Sequence, residues 1–144
     1  MMTLQFPPVP CLAPLAITMG DAAGIGPEII AKAFLQAPQH MAGSFVVGDI
    51  GTMRRASALV APGSGRPALS VAVLESAQDV ANLPPSCIGV LTVASPLDPV
   101  PWGKINAHAG ALAGQCVQWA AQAALFSYTT LFRSIGRASC RERV

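Results

Sequence analysis

Residues 17–28, ITMGDAAGIGPE, hold the densest set of groups in the chain that could meet a ligand. An apolar run ending at Thr18 gives way to Gly20, Asp21, Gly24, Ile25 and Gly26, and then to Pro27 and Glu28. Glycines let a backbone turn tightly and come close to a bound molecule. An aspartate among them can accept a hydrogen bond from a ligand hydroxyl. Proline at a first helical position with an acid beside it signals a helix start, so the segment reads as strand, turn and helix. In α/β proteins that junction, at the carboxyl end of a parallel strand, faces the ligand crevice. The helix N-terminus offers N–H groups that favour an anion, although Pro27 removes one of them. The spacing G-x-x-x-G-x-G-P is neither the dinucleotide fingerprint G-x-G-x-x-G nor the phosphate loop, which also needs Lys followed by Ser or Thr. The residues alone leave two readings open: a loop lining a cleft for a cofactor or substrate, or a plain β-α turn in which Asp21 caps its own backbone.

No other stretch offers a comparable set. His40 and His108 lie far apart in sequence and have few His, Cys or carboxylate neighbours, so no metal ligand is assigned. His40 reads as a surface residue after a helix and His108 as a solvated residue early in another. Cys11, Cys87, Cys116 and Cys140 form no C-x-x-C pair and read as buried or free thiols, neither a disulfide framework nor a zinc site. No catalytic residue is assigned either.

The elements that would position the 17–28 segment follow from hydrophobic periodicity and from glycine and proline breaks. Leu15, Ala16, Ile17 and Thr18 read as a strand, and residues 28–35 as a helix ended by Pro38, with Ile29, Ile30, Ala33 and Phe34 on its apolar face. Residues 44–49 read as a second buried strand and 51–59 as a second helix with Arg54 and Arg55 solvated. Residues 61–67, APGSGRP, read as a loop, 68–74 as a strand, 83–85 as a turn and 87–94 as a further apolar strand. Residues 95–103 carry three prolines and are expected to be irregular. Residues 107–125 give the longest helical pattern, with Leu112, Cys116, Trp119, Ala120 and Ala123 on one side and Gly110 and Gly114 as sites of close packing against another helix. Strands alternating with helices predict an α/β fold with a largely parallel sheet.

Only 11% of the 144 residues are charged while 52% are hydrophobic, the balance of a globular chain rather than a disordered one. The apolar runs are strand-sized, well short of the roughly 18 residues of a membrane span. Residues 1–12 contain no Lys or Arg and are broken by Pro7, Pro8 and Pro10, so they read as a loose lead-in rather than a secretory signal. No membrane partner is expected, and the cytoplasm is the expected compartment. The net charge of +2 is a property of the end of the chain: residues 126–144 carry Arg133, Arg137, Arg141 and Arg143 against Glu142, a net +3, which leaves −1 for residues 1–125. That balance offers no basic patch for nucleic acid. The same segment, FSYTTLFRSIGRASCRERV, drops the Ala-rich helical pattern that precedes it. Codons for Tyr-Thr-Thr-Leu-Phe-Arg, reverse-complemented and read in a shifted frame, give the residue order found within 135–140. Such an inverted repeat resembles sequencing-adapter DNA read into a gene. The chain is therefore expected to divide into the lead-in, an α/β part over residues 13–125, and a non-native tail over 126–144 without defined packing.

The string Gly20-Asp21-Ala22-Ala23-Gly24-Ile25-Gly26-Pro27-Glu28 resembles the G-D/E-P-A-G-I-G-P-E/D signature that opens the PdxA family, the 4-hydroxythreonine-4-phosphate dehydrogenases. It departs at Ala22, where the family usually has Pro. Val46-Val47-Gly48-Asp49 resembles the family's second strand, and Gly103-Lys104-Ile105-Asn106-Ala107 its G-K-x-x-A approach to a long helix. The resemblance spans roughly residues 13–125. It implies the incomplete N-terminal part of a fold like that of isocitrate and isopropylmalate dehydrogenases. It also implies oxidation of a secondary hydroxyl on a small phosphorylated hydroxy acid, with NAD or NADP accepting the hydride. A divalent metal held by three histidines would polarise that hydroxyl. The substrate would be hydroxythreonine phosphate or a sugar-acid phosphate such as threonate or erythronate phosphate, and the enzyme a homodimer. The family's catalytic and metal residues lie beyond the long helix and have no counterpart here, so this chain is expected to be inactive by itself. An isopropylmalate-type decarboxylating dehydrogenase, whose shorter G-D-G-I-G-P-E string has different spacing, and a non-catalytic anion-binding α/β module are the alternatives.

Overall fold

The computed structural model describes residues 14–126 and the pair Arg133–Ser134. Its elements follow in the order β1 (Leu15–Thr18), α1 (Gly26–Gln36), β2 (Ser44–Val47), α2 (Ile50–Ser64), β3 (Ser70–Leu74), a 3₁₀ turn (Ala77–Asn82), β4 (Cys87–Leu91), α3 (Ala107–Phe126) and β5 (Arg133–Ser134). The strands form one sheet in the order β3-β4-β2-β1-β5, and every described pairing is parallel. Parallel neighbours need crossovers, and α1, α2 and the 3₁₀ turn occupy the connections. The expected α/β class with a parallel sheet is thus the observed one.

Central position explains composition. β2 lies between β1 and β4, and all four of its residues are buried, so SFVV carries no polar alternation beyond Ser44. β4 is buried along its whole length, while β3, at the sheet edge, is buried only at Leu74. Ala16, Phe45, Val46, Val47, Ile88 and Val90 form the centre of the core, each large side chain there contributing about 1.5–3 kcal/mol. α3 lies over the Phe45 face, where Trp119 meets Phe45 edge-on, ring centroids 6.2 Å apart at 84°. Among the described residues no helix is long and apolar enough to cross a membrane.

Four local expectations need correction. The buried face of α1 is Pro27, Ile30, Ala31, Phe34 and Leu35, while Ile29 is exposed; the helix is rotated toward α2 by about one residue from the predicted face. α2 runs through Pro62 and Gly63 to Ser64 and closes on Gly65 in the left-handed region. Proline is tolerated there because the carbonyl it leaves unbonded belongs to Ala58, an exposed residue that water can satisfy. Arg55 is not solvated but reaches the carbonyl oxygen of Val100, 3.0 Å away. Gly110 and Gly114 are exposed, and among the described residues an added Cβ would meet no atom within 4 Å, so neither marks close packing there. Glycine inside a helix costs about 0.5–1 kcal/mol relative to alanine. Gly110→Ala and Gly114→Ala are therefore expected to raise stability by about that amount each in urea denaturation; a loss would show that a hidden contact occupies the face.

Within the segment expected to lack packing, Arg133–Ser134 pairs with Leu15 and Ala16 at the outer edge of β1. An open strand edge offers backbone donors and acceptors to any extended segment regardless of side chains. The lead-in over 1–12 and most of 126–144 lie outside the described residues, as do Cys11 and Cys140. Cys87 and Cys116 are free and buried. Burial pushes the Cys116 thiol up to about 11, partly offset by a backbone hydrogen bond, with Asp49 adding to the rise. Burial also raises Cys87, against a hydrogen bond from the Ala72 backbone.

Candidate ligand-binding site

Because the strands are parallel, the segments after β1, β2 and β4 leave the sheet at one edge. Their ends are stitched together there: the Met19 N–H donates to Val47 O at 3.0 Å and the Gly48 N–H to Leu91 O at 3.1 Å. The 20–26 loop, Asp49 and residues 94–100 consequently share the carboxyl edge.

Each predicted residue of the loop can be placed. Gly20 has φ +77, a conformation that L side chains rarely adopt. Asp21 is exposed, and its Oδ1 accepts from the Ala23 N–H at 2.9 Å; its backbone oxygen accepts from the Gly24 N–H at 3.0 Å. The self-capping role is therefore present, but it occupies only Oδ1, and Oδ2 has no hydrogen-bond partner among the described residues. Ala22 and Ala23 are buried, at 0% and 3% exposure, so the loop is anchored at its middle. Ile25 is exposed and flanks α1 without a side-chain cap. Gly26 is glycine for packing, since a Cβ there would stand 2.5 Å from Met19 O. Gly24 differs from both: its φ is ordinary and its nearest neighbour to an added Cβ is Asp21 O at 3.4 Å. Neither backbone strain nor crowding accounts for glycine at 24. In the first turn of α1, Glu28 pairs with Lys32 at 2.6 Å, so the uncompensated negative charge near the helix start is that of Asp21.

The second glycine-aspartate pair, Gly48-Asp49, works differently. Asp49 is 4% exposed. Its Oδ2 accepts from the Thr52 N–H at 2.7 Å and the Thr52 hydroxyl at 2.9 Å, which caps α2, and its Oδ1 accepts from the Leu97 N–H at 3.1 Å. Asp49 therefore has no lone oxygen to offer a ligand.

Beside the loop, residues 94–100 and the first turns of α3 enclose a cleft of about 440 Å³, whose polar lining comes from Ser95, Asp98, Asn106, His108 and Gln115. That volume lies in the range of small-molecule sites. Asn106 Oδ1 caps α3 by accepting from the His108 and Ala109 N–H groups at 2.9 and 3.1 Å, which leaves its amide NH₂ for a ligand. Gly20, Asp21, Gly24, Ile25 and Gly26 are not among the lining residues; the Gly103 N–H, which donates to Ala23 O at 2.7 Å, ties the loop to the stretch of chain between the lining residues Val100 and Asn106. That bond joins the two glycine motifs of the sequence. His108 is exposed, as expected, yet borders the cleft; the Asn-x-His start of a long helix was the available signal. His40 is exposed and remote from it. Among the described residues no group of three or more His, Cys, Asp or Glu could hold a metal ion.

No family model matches the chain. It is similar to the D-threonate 4-phosphate dehydrogenase of Salmonella typhimurium, 39% identical over 113 residues, covering 77% of this chain and 33% of that protein. It is also similar to the D-threonate 4-phosphate dehydrogenase of Pectobacterium atrosepticum, 36% identical over 115 residues with the same coverage. Its fold superposes on the crystal structure of a 4-hydroxythreonine-4-phosphate dehydrogenase from Burkholderia phymatum with a TM-score of 0.67 at 30% identity, covering 79% of this chain and 33% of that one. The chain thus belongs to the PdxA-like dehydrogenases, a family of oxidoreductases, and spans about a third of the length of the relatives it matches.

Proposed function

We propose that this chain supplies one wall of the ligand crevice of a dehydrogenase that oxidises the secondary hydroxyl of a small phosphorylated hydroxy acid. The substrate is hydroxythreonine phosphate or a sugar-acid 4-phosphate such as threonate phosphate, with NAD or NADP as oxidant and two copies per enzyme. The observation that carries the reading is the 20–26 loop itself, a family-like motif at the carboxyl edge of a parallel sheet beside a polar cleft. The nicotinamide, when bound, supplies the hydride acceptor.

The residues of the loop fit a nucleotide in a limited way. The Ala23 N–H fixes the Asp21 carboxylate, whose free Oδ2 accepts a hydrogen bond from a hydroxyl such as that of a ribose. Gly24 leaves room for the ligand to approach the backbone. Asp21, the unpaired charge at this end of α1, disfavours phosphate groups there, while Glu28 is compensated by Lys32. The cleft offers neutral donors on Ser95, Asn106 and Gln115 beside the Asp98 carboxylate, a lining suited to the hydroxyl groups of the acid rather than to its phosphate. The described residues do not fit the divalent metal that the family resemblance implies, so no step is derived through it, and turnover is assigned to the longer family enzymes rather than to this chain.

Nucleotide binding is the test. Asp21→Asn and Gly24→Ala are expected to unfold at the same urea concentration as the parent, because Asp21 is exposed and a Cβ at Gly24 meets only ordinary contacts. Each is expected to weaken NADH binding about tenfold, the effect of losing one hydrogen bond to a charged acceptor or of blocking close approach. If both variants bind NADH as the parent does, the loop is a turn and nothing more.

A further inference from the structure

Residues 94–106 have little regular structure, yet three contacts hold them to the carboxyl edge. The Leu97 N–H reaches Asp49, the Arg55 Nη1 donates to Val100 O at 3.0 Å, and the Gly103 N–H donates to Ala23 O at 2.7 Å. The Arg55 guanidinium also lies 4.8 Å from the centroid of the Trp102 ring. One side chain on α2 therefore grips the segment on both sides of Pro101, and the peptide directly after Trp102 holds the loop at Ala23. Arg55 Nη2 is buried with no hydrogen-bond partner among the described residues. Burying an unpaired donor lowers stability, and a methionine of similar reach would fill the space without it, so packing alone does not account for an arginine here.

We propose that Arg55 is a positioning residue for the ligand crevice: through Val100 and Trp102 it sets the place of Gly103, and Gly103 sets the backbone of the loop at Ala23, next to Asp21 and Gly24. The inference rests on the reading of that loop as nucleotide-facing. Its geometry is specific to a planar fork that can bond a carbonyl while stacking on an indole. A lysine keeps the cation and can still donate to a carbonyl but lacks the planar fork, and a methionine has neither charge nor donor.

The test uses the 144-residue protein, Arg55→Met and Arg55→Lys, with amide hydrogen exchange and NADH titration followed by backbone NMR. In Arg55→Met the amides of Gly103 and Gly24 are expected to exchange about tenfold faster, while those of Val47 and Val90 in the central strands keep their rates. NADH binding is expected to weaken about tenfold, and Arg55→Lys to recover a substantial part of both losses. Unchanged exchange at Gly103, or equal acceleration at all four amides, would overturn the proposal, the second outcome marking a merely structural residue. If exchange responds selectively but NADH moves no loop resonance even in the parent protein, the nucleotide reading fails and the positioning role fails with it, while the grip of Arg55 on Gly103 stands as measured.

Discussion

Gly26→Ala is expected to be the most damaging single-methyl change in the chain. The added carbon would stand 2.5 Å from Met19 O, a backbone atom at the end of β1 that no rotamer change can move. Met19 is itself fixed: it is 1% exposed, its N–H is bonded to Val47 O, and its side chain lies against Gly48, where a Cβ would meet the Met19 Cβ at 2.6 Å. Relief would require separating α1 from β1 and exposing Pro27 and Ile30. A cost of about 3 kcal/mol is expected, the upper end for an inserted methyl group and a large part of a small domain's stability. Urea denaturation should show it as a collapse of the unfolding midpoint or as loss of soluble protein. Gly24→Ala, two residues away with room for a methyl group, is expected to leave the midpoint unchanged, and equal damage from both would refute the packing account.

Asp49→Ala is expected to rank next, at about 3 kcal/mol. It removes the cap of α2, worth about 0.5–2 kcal/mol, and leaves the Thr52 and Leu97 donors without their acceptor in a region where Asp49 is buried. Asp49→Asn separates the contributions. An amide has one oxygen, so it can serve Thr52 or Leu97 but must present its NH₂ to the other donor; about half the loss is expected. Amide exchange should show residues 94–100 loosening in both variants. If Asp49→Ala unfolds at the parent midpoint, Asp49 is not the staple described here.

The outcome at the two glycine-aspartate pairs shows what was legible in the chain and why. β1, β2 and β4 could be read because buried parallel strands are apolar runs bounded by breakers, and Pro27 marked the start of α1. The buried face of α1 differs from the one periodicity predicts because Ile29 and Ile30 are equally apolar, and only packing against α2 decides which of them is buried. Pro62 and Gly63 are breakers by composition and predict a loop where α2 makes its last turn; an exposed Ala58 carbonyl makes the proline acceptable, and that exposure is a property of the packed helix. The cleft was missed for a related reason. Residues 95–100 look like featureless proline-rich chain, and they acquire a place only through Asp49 and Arg55, respectively 48 and 45 residues from their partners. Gly20-Asp21 and Gly48-Asp49 look alike in sequence, yet one aspartate is exposed with a free oxygen and the other is buried with none.

The central claim is that the carboxyl edge of this sheet, with the 20–26 loop in it, meets the ligand. Backbone NMR shift mapping of the 144-residue protein with NADH and with NADPH addresses it most directly. Saturable shifts are expected at Gly20, Asp21 and Gly24, extending to Gly103 and to residues 94–100, with the opposite edge around Gly43 and Ser86 unmoved. Shifts centred on that opposite edge, or none at the loop at saturating nucleotide, would contradict the account.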